Sequence, residues 1–333
     1  MRVTVLGAGS WGTTVAALLC RRDHEVLLWA RNPDVAAEID GQRTNEAYLG
    51  GVRLPARLGA TADLEQAARH AEVLVVGVPT GAFRETLEQA RPYLGPWFPV
   101  VSLSKGLERG THLRMTEVIK EVLPGRPAAA LTGPNLAREI MAGQAAASVI
   151  ATEDLTVATA LQREVARGMF RVYTHHDVVG CEIGGALKNV IAIATGMAEG
   201  LGVGDNTRAA VMSRGLAELT TLAVAMGGEA TTLAGLAGMG DLVATCMSPQ
   251  SRNRHVGEQL GKGRLLDEIL GEMRMVAEGV KTVSTVVELA DQHGLHMPIA
   301  HTIHDVVTGR IRAADAYRGL VRAVPAGHEA DPG

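Results

Sequence analysis

Lys188 has the setting most suggestive of chemistry. It lies in Gly184-Gly185-Ala186-Leu187-Lys188-Asn189, and on a helix it shares a face with Cys181, Gly184, Gly185, Ala192 and Thr195, all small residues. An ammonium on an otherwise apolar helix is costly unless a partner or ligand meets it. The alternative is a structural lysine that snorkels to water, and the small neighbours are read as room for a ligand. Other segments add groups suited to an anionic or carbonyl substrate. Ser104-Lys105-Gly106 follows a strand pattern, so Lys105 is either a ligand contact or a solvated loop lysine. Thr132-Gly133-Pro134-Asn135 follows another strand and opens a helix; its N–H groups either meet a substrate oxygen or form an ordinary cap. Asp241 either caps a helix or accepts hydrogen bonds from Lys188 or a substrate hydroxyl. Ser251-Arg252-Asn253 places a hydroxyl, a guanidinium and an amide at a helix start. Helix dipole and bidentate arginine there suit a dianionic phosphate, unless Arg252 is simply solvated.

A second constellation sits at the N-terminus. Gly7-Ala8-Gly9-Ser10-Trp11-Gly12 follows a strand pattern and opens a helix pattern, the context in which GxGxxG binds a dinucleotide. Gly7 permits the tight turn, Gly9 lets the backbone touch the pyrophosphate, and Gly12 allows close helix–strand packing. The helix N-terminus then presents free N–H groups to the phosphates. After the next strand comes Arg31, where an acidic residue would read an NAD ribose. A guanidinium pairs with a 2′-phosphate instead, so NADP is expected to be accepted as well as NAD, unless Arg31 is a surface charge beside Asp34.

Elements that position these groups follow from periodicity. Residues 2–6, 25–29, 73–78, 99–103 and 128–131 read as strands, and 11–21, 63–70, 81–93 and 113–122 as helices. Unbroken apolar runs indicate strands buried on both faces, as in a parallel sheet wrapped by helices. Strands at 147–151 and 170–173, bracketing a helix at 154–167, are expected to extend the same sheet. Beyond residue 178 only helical patterns remain: 181–200, 207–226, 251–260, 265–270, 281–293 and 299–308. The expected architecture is an α/β N-terminal Rossmann-type doubly wound sheet followed by an all-α C-terminal domain. Residues 1–178 would form the dinucleotide-binding domain, 179–322 the helical substrate-binding and catalytic domain, and 323–333 a flexible tail.

Composition sets limits. With 32 Lys+Arg against 36 Asp+Glu the net charge is −4, which excludes nucleic-acid binding driven by a large positive charge. A chain of 333 residues, 47% apolar and 20% charged, has globular proportions and length for about two domains. Aromatics are only 3%, so the core must be built from Ala, Val, Leu and Ile. Cys20, Cys181 and Cys246 are far apart and odd in number, which suits reduced thiols in a cytoplasm. Gly7 and Gly9 interrupt the N-terminal apolar run, against an export signal. The longest apolar stretch, 190–201, is flanked by Lys188 and contains Glu199, so no membrane span is expected. His293, His296, His301 and His304 are interrupted by Pro298 and lack completing ligands, so no metal site is expected.

The motifs GAGSWGT from Gly7, SKGLE from Ser104, GALKN from Gly185, GVGDN from Gly202, GLAGMGDL from Gly235 and SPQSRNR from Ser248 resemble those of the bacterial-type NAD(P)-dependent glycerol-3-phosphate dehydrogenases. The resemblance runs in order from Met1 to Leu320. It implies reversible reduction of dihydroxyacetone phosphate to sn-glycerol 3-phosphate, the phospholipid backbone, by a cytoplasmic and usually dimeric enzyme. It further implies that Ser10, Trp11, Arg31, Lys105, Ala137, Arg252, Val276 and Glu278 contact the dinucleotide. Lys105, Gly133, Asn135, Lys188, Asp241, Ser251, Arg252 and Asn253 would contact substrate, with Lys188 the proton acceptor in oxidation. Asn135 departs from the Ser or Thr that the family generally has; its backbone N–H serves either way. Burial and Lys105 would lower the Lys188 pKa, while Asp241 and a substrate phosphate would raise it. Two competing readings are a related β-hydroxyacid dehydrogenase, needing a carboxylate site, and a non-catalytic NAD(P)H-sensing module.

Overall fold

Short aliphatic runs punctuated by glycine build an eight-stranded sheet in the first half of the chain, seen in a computed structural model that describes residues 1–20, 24–273 and 277–320, the last four without their side chains. Arg21, Val276 and the tail 323–333 lie outside the described residues. The order is β1 (Arg2–Leu6), α1 (Ser10–Cys20), β2 (Glu25–Trp29), α2 (Pro33–Gln42), α3 (Glu46–Leu49), β3 (Gly59–Thr61), α4 (Leu64–His70), β4 (Val73–Val76), α5 (Phe83–Ala90), β5 (Val100–Ser102), α6 (Met115–Val122), β6 (Ala128–Thr132), α7 (Ala137–Met141), β7 (Ala146–Ala151), α8 (Leu155–Val165) and β8 (Phe170–His175). Helices follow: α9 (Val178–Gly200), α10 (Asp205–Ala225), α11 (Ala230–Leu233), a π-helical turn (Leu236–Gly240), α12 (Asp241–Met247), α13 (Arg252–Gly261), α14 (Leu266–Glu272), α15 (Glu278–Gln292), α16 (Pro298–Val307) and α17 (Ala313–Leu320).

The sheet runs β3-β2-β1-β4-β5-β6-β7-β8 and is doubly wound. Along β1, Val3 and Val5 join one apolar cluster with α1 and α8, while Leu6 joins another with α4, α5 and α6. Both faces are therefore buried, which is why its strands lack polar alternation. Strands β7 and β8 do extend the sheet, but β7 runs antiparallel to β6. Only the five-residue α7 lies between them, too short to carry the chain back along the sheet. Periodicity also passed over β3, whose Gly-Ala-Thr has no apolar run yet pairs with β2, and α2, a polar helix started by Asn32 capping the Asp34 N–H and by Pro33.

The chain divides into two units, one of residues Met1–Ser104 and Leu113–Val178, the other of Lys105–His112 and the chain from Val179. The short segment after β5 thus belongs with the helices, where Leu107 is buried in their core. The centre of this second unit is α9. By length and composition Val178–Gly200 is apolar enough to cross a membrane, as is Ala230–Met247, but 94% of the α9 window is buried within the protein. The apolar run counted in the sequence is thus part of a longer helix whose apolarity serves a core.

Glycines decide how closely α13 approaches α9. A methyl group on Gly196 would lie 2.0 Å from the Arg254 carbonyl oxygen, and one on Gly257 2.0 Å from that of Ile193. Gly200 and Gly261, one turn further along each helix, meet the opposite backbone in the same way. Two helices joined backbone to backbone leave no room for side chains at the crossing, so the start of α13 is set rigidly relative to α9. Gly257→Ala should therefore lower stability by about 1–3 kcal/mol despite alanine's better helix propensity, read as a fall in the denaturant midpoint.

Candidate active site

In the first unit the glycine turn between β1 and α1 has the form that the motif predicts. Gly7 adopts φ 112, and a methyl group there would strike the Gly77 backbone at 2.7 Å. A methyl on Gly12 would fall 2.0 Å from the Gly7 carbonyl oxygen, which enforces the tight strand-to-helix junction. At Gly9 the same atom would meet nothing within 4 Å. Internal packing therefore does not demand glycine at position 9, whereas a closely approaching pyrophosphate would, so the turn fits a dinucleotide. Ser10 donates its hydroxyl to the Tyr48 carbonyl at 2.9 Å. The Trp11 ring packs edge-on against Phe170, 6.1 Å between centroids, and its buried indole N–H has no hydrogen-bond partner among the described residues. Arg31 is exposed at the end of β2.

The turn after β6 lies in the same unit. Gly133 is buried there, Asn135 is half-buried, and Ala137 begins α7. The Asn135 Oδ1 accepts from the Ser148 hydroxyl, while its Nδ2 is buried and has no partner among the described residues. The carboxamide standing in place of the family's hydroxyl is therefore oriented by the sheet and keeps a donor available.

The second unit carries the amines. Lys188, 7% exposed on α9, donates to Asp241 Oδ1 and, at 2.9 Å, to Thr245 Oγ1. Lys105 donates to the other oxygen, Asp241 Oδ2, at 2.7 Å. One carboxylate, 1% exposed, thus lies between two ammonium groups. Burial pushes the Lys188 pKa down to about 8; Asp241 opposes the shift and Lys105 adds to it. Asp241 is delivered by the π-helical turn that precedes α12. That turn can reach α9 because position 184 is glycine: a methyl there would sit 2.6 Å from the Ala237 carbonyl oxygen. At Gly184, then, the small residue near Lys188 admits backbone that brings in the counter-charge, and does not leave space for a ligand.

The SRN segment divides its labour. Ser251 is the cap of α13, accepting from the Arg254 N–H at 3.2 Å, so its side chain takes the capping role. Asn253 is buried; its Nδ2 donates to Asn189 Oδ1 at 2.9 Å and its Oδ1 accepts the Gly279 N–H at 3.0 Å. Asn189 in turn donates to the Lys105 carbonyl at 3.3 Å. These amides join α13, α9, the start of α15 and the Lys105 segment, so both ends of the Asn253 carboxamide are engaged within the protein. Arg252 is exposed at the first turn of α13, and Glu278 half-buried at the first turn of α15. Sequence reasoning missed Thr245 and Asn189. Thr245 stands one helical turn after Asp241, a spacing that places both on one face. Asn189 had no separate signal beyond following Lys188.

A doubly wound sheet with a glycine turn, and a helical unit holding a buried, partly neutralised lysine, define a two-domain dinucleotide-dependent oxidoreductase. Family models described as NAD-dependent glycerol-3-phosphate dehydrogenase N-terminus and C-terminus match residues 2–158 and 177–318, and the chain belongs to this family. It is 56% identical over 333 residues to the glycerol-3-phosphate dehydrogenase (NAD(P)+) 2 of Sphingopyxis alaskensis, covering 100% of this chain and 99% of that one. Identity to a counterpart from Mycobacterium tuberculosis is 53%, over 98% of this chain and 96% of the other. The crystal structure of glycerol-3-phosphate dehydrogenase from Coxiella burnetii superposes with a TM-score of 0.92 at 35% identity, covering 96% and 98% of the two chains.

Replacing Asp241 by asparagine leaves two ammonium groups without their buried counter-charge. Asp241→Asn should cost about 3–5 kcal/mol in chemical denaturation at pH 6. The loss should shrink as pH rises past the pKa of Lys188, because the neutral amine no longer needs an anion.

Proposed function

We propose that this protein is an NAD(P)-dependent glycerol-3-phosphate dehydrogenase in which Lys188 is the acid–base residue. The observation that carries the assignment is a buried amine with a pKa of about 8, held between a carboxylate and a hydroxyl. A nicotinamide dinucleotide held at the glycine turn would supply the hydride that reduces the carbonyl carbon of dihydroxyacetone phosphate, or would accept it from sn-glycerol 3-phosphate. As reduction proceeds, negative charge grows on the carbonyl oxygen. Protonated Lys188 stabilises that charge and transfers its proton to the oxygen, giving the alcohol. In oxidation neutral Lys188 takes the hydroxyl proton as hydride leaves. A pKa near 8 keeps both forms accessible near neutrality, so one residue serves both directions.

Asp241 and Thr245 aim the amine, and Lys105 contributes a second cation beside it. Arg252, at the N-terminus of α13, grips the substrate phosphate with support from the helix dipole. Gly133 and Asn135 offer N–H groups to substrate oxygens. Ser10, Trp11, Arg31, Ala137 and Glu278 line the dinucleotide's path, Arg31 taking the 2′-phosphate of NADP. The enzyme works as a homodimer and feeds phospholipid synthesis; a cytoplasmic setting is supported by its three buried cysteines, none of which forms a disulfide.

The test is a steady-state assay of dihydroxyacetone phosphate with each nicotinamide, alongside unphosphorylated hydroxyacids; activity confined to the latter would overturn the substrate assignment. Oxidation should rise with pH through about 8 and reduction should fall through the same region. Lys188→Ala should abolish turnover in both directions while dinucleotide affinity stays close to the parent's. Arg252→Ala should raise KM for dihydroxyacetone phosphate by roughly tenfold to a hundredfold, the loss of a charge-assisted bond of about 1.5–3 kcal/mol, and an unchanged KM would remove the phosphate role.

A further inference from the structure

Asn45 is fully buried between α2 and α3, and nothing in the motifs drew attention to it. Its Nδ2 donates twice, to the Ala8 carbonyl oxygen at 2.9 Å and to Thr13 Oγ1 at 2.9 Å. Ala8 is the middle residue of Gly7-Ala8-Gly9, and Thr13 lies in the first turns of α1. The Oδ1 of the same carboxamide is buried without a hydrogen-bond partner among the described residues. A carbonyl oxygen can only accept, so the amide must present its nitrogen to Ala8 even though its own oxygen goes unsatisfied. The segment is held firmly for this task. Glu38 Oε1 accepts from the Thr44 hydroxyl and from the Glu46 N–H, each at 2.8 Å, on either side of Asn45. Three residues further on, the Tyr48 carbonyl takes the Ser10 hydroxyl, so this short stretch grips the glycine turn at two places.

We infer that Asn45 is a positioning residue for the dinucleotide: by holding the Ala8 carbonyl inward it keeps that oxygen away from the pyrophosphate and leaves the turn's N–H groups to face it. A carbonyl rotated toward the phosphates would repel them, and glycines on both sides of Ala8 make such rotation easy unless something prevents it. The inference rests on the turn being the dinucleotide site.

The experiment titrates NADPH and NADH by fluorescence and measures KM for each substrate in the parent, Asn45→Ala and Asn45→Asp. Failure of the parent to bind either dinucleotide would refute the cofactor reading itself. Given parental binding, Asn45→Ala should raise the dinucleotide Kd by roughly tenfold, as expected for one lost buried hydrogen bond, without a matching rise in KM for dihydroxyacetone phosphate. Asn45→Asp is nearly isosteric and carries a distinguishing signature. Protonated, its hydroxyl can still donate to Ala8; ionised, it faces that carbonyl with negative charge. Its Kd relative to the parent should therefore climb with pH. A folded Asn45→Ala protein with parental Kd, or a pH-independent ratio for Asn45→Asp, would overturn the inference, because a residue needed only for stability would change neither.

Discussion

A single buried carboxylate shared by two ammonium groups governs the helical unit. Asp241, 1% exposed, pairs with Lys188 through one oxygen and with Lys105 through the other, and neither amine could be buried beside the other without it. The balance is not symmetrical. Burial weighs more on Lys188 than attraction to Asp241 restores, so that amine is the one brought into the range where it can both give and take a proton. Thr245 completes the arrangement, accepting from Lys188 while donating its hydroxyl to the Asp241 carbonyl at 2.6 Å.

Close backbone approaches make this arrangement possible. Gly184 admits the π-helical turn that presents Asp241, and the glycine pairs of α9 and α13 bring Asn253 within reach of Asn189. The amides then run from Gly279 through Asn253 and Asn189 to the Lys105 carbonyl. Displacement of any of these elements would be felt at the amines, because hydrogen-bonded amides and backbone-to-backbone crossings have little slack. The placement of the Lys188 amine thus depends on residues that carry no charge.

Much of this was legible beforehand. The strand–turn–helix around GAGSWG requires glycine for reasons local to the turn, and the structure places Gly7 and Gly12 as those reasons demand. Lysine on an apolar helix needs a counter-charge, which pointed to Asp241. The polar helix α2 and the three-residue β3 were missed because neither has a strong apolar period; their stability comes from capping and from pairing with β2. The direction of β7 was also beyond reach, since an apolar run reads alike in both directions.

The sequence by itself determined the two-part architecture, the glycine turn and the presence of a lysine on an apolar helix that needs a counter-charge, since these depend on periodicity, on backbone freedom and on the cost of burying charge. Tertiary structure decided what the neighbouring residues do. It turned Ser251 into a helix cap, committed Asn253 to an internal amide relay, and filled the space beside Gly184 with backbone. It also drew Asn45 and Thr245 to groups they support. Such roles depend on which donor meets which acceptor across elements far apart in the chain, and that pairing exists only once the packing has formed.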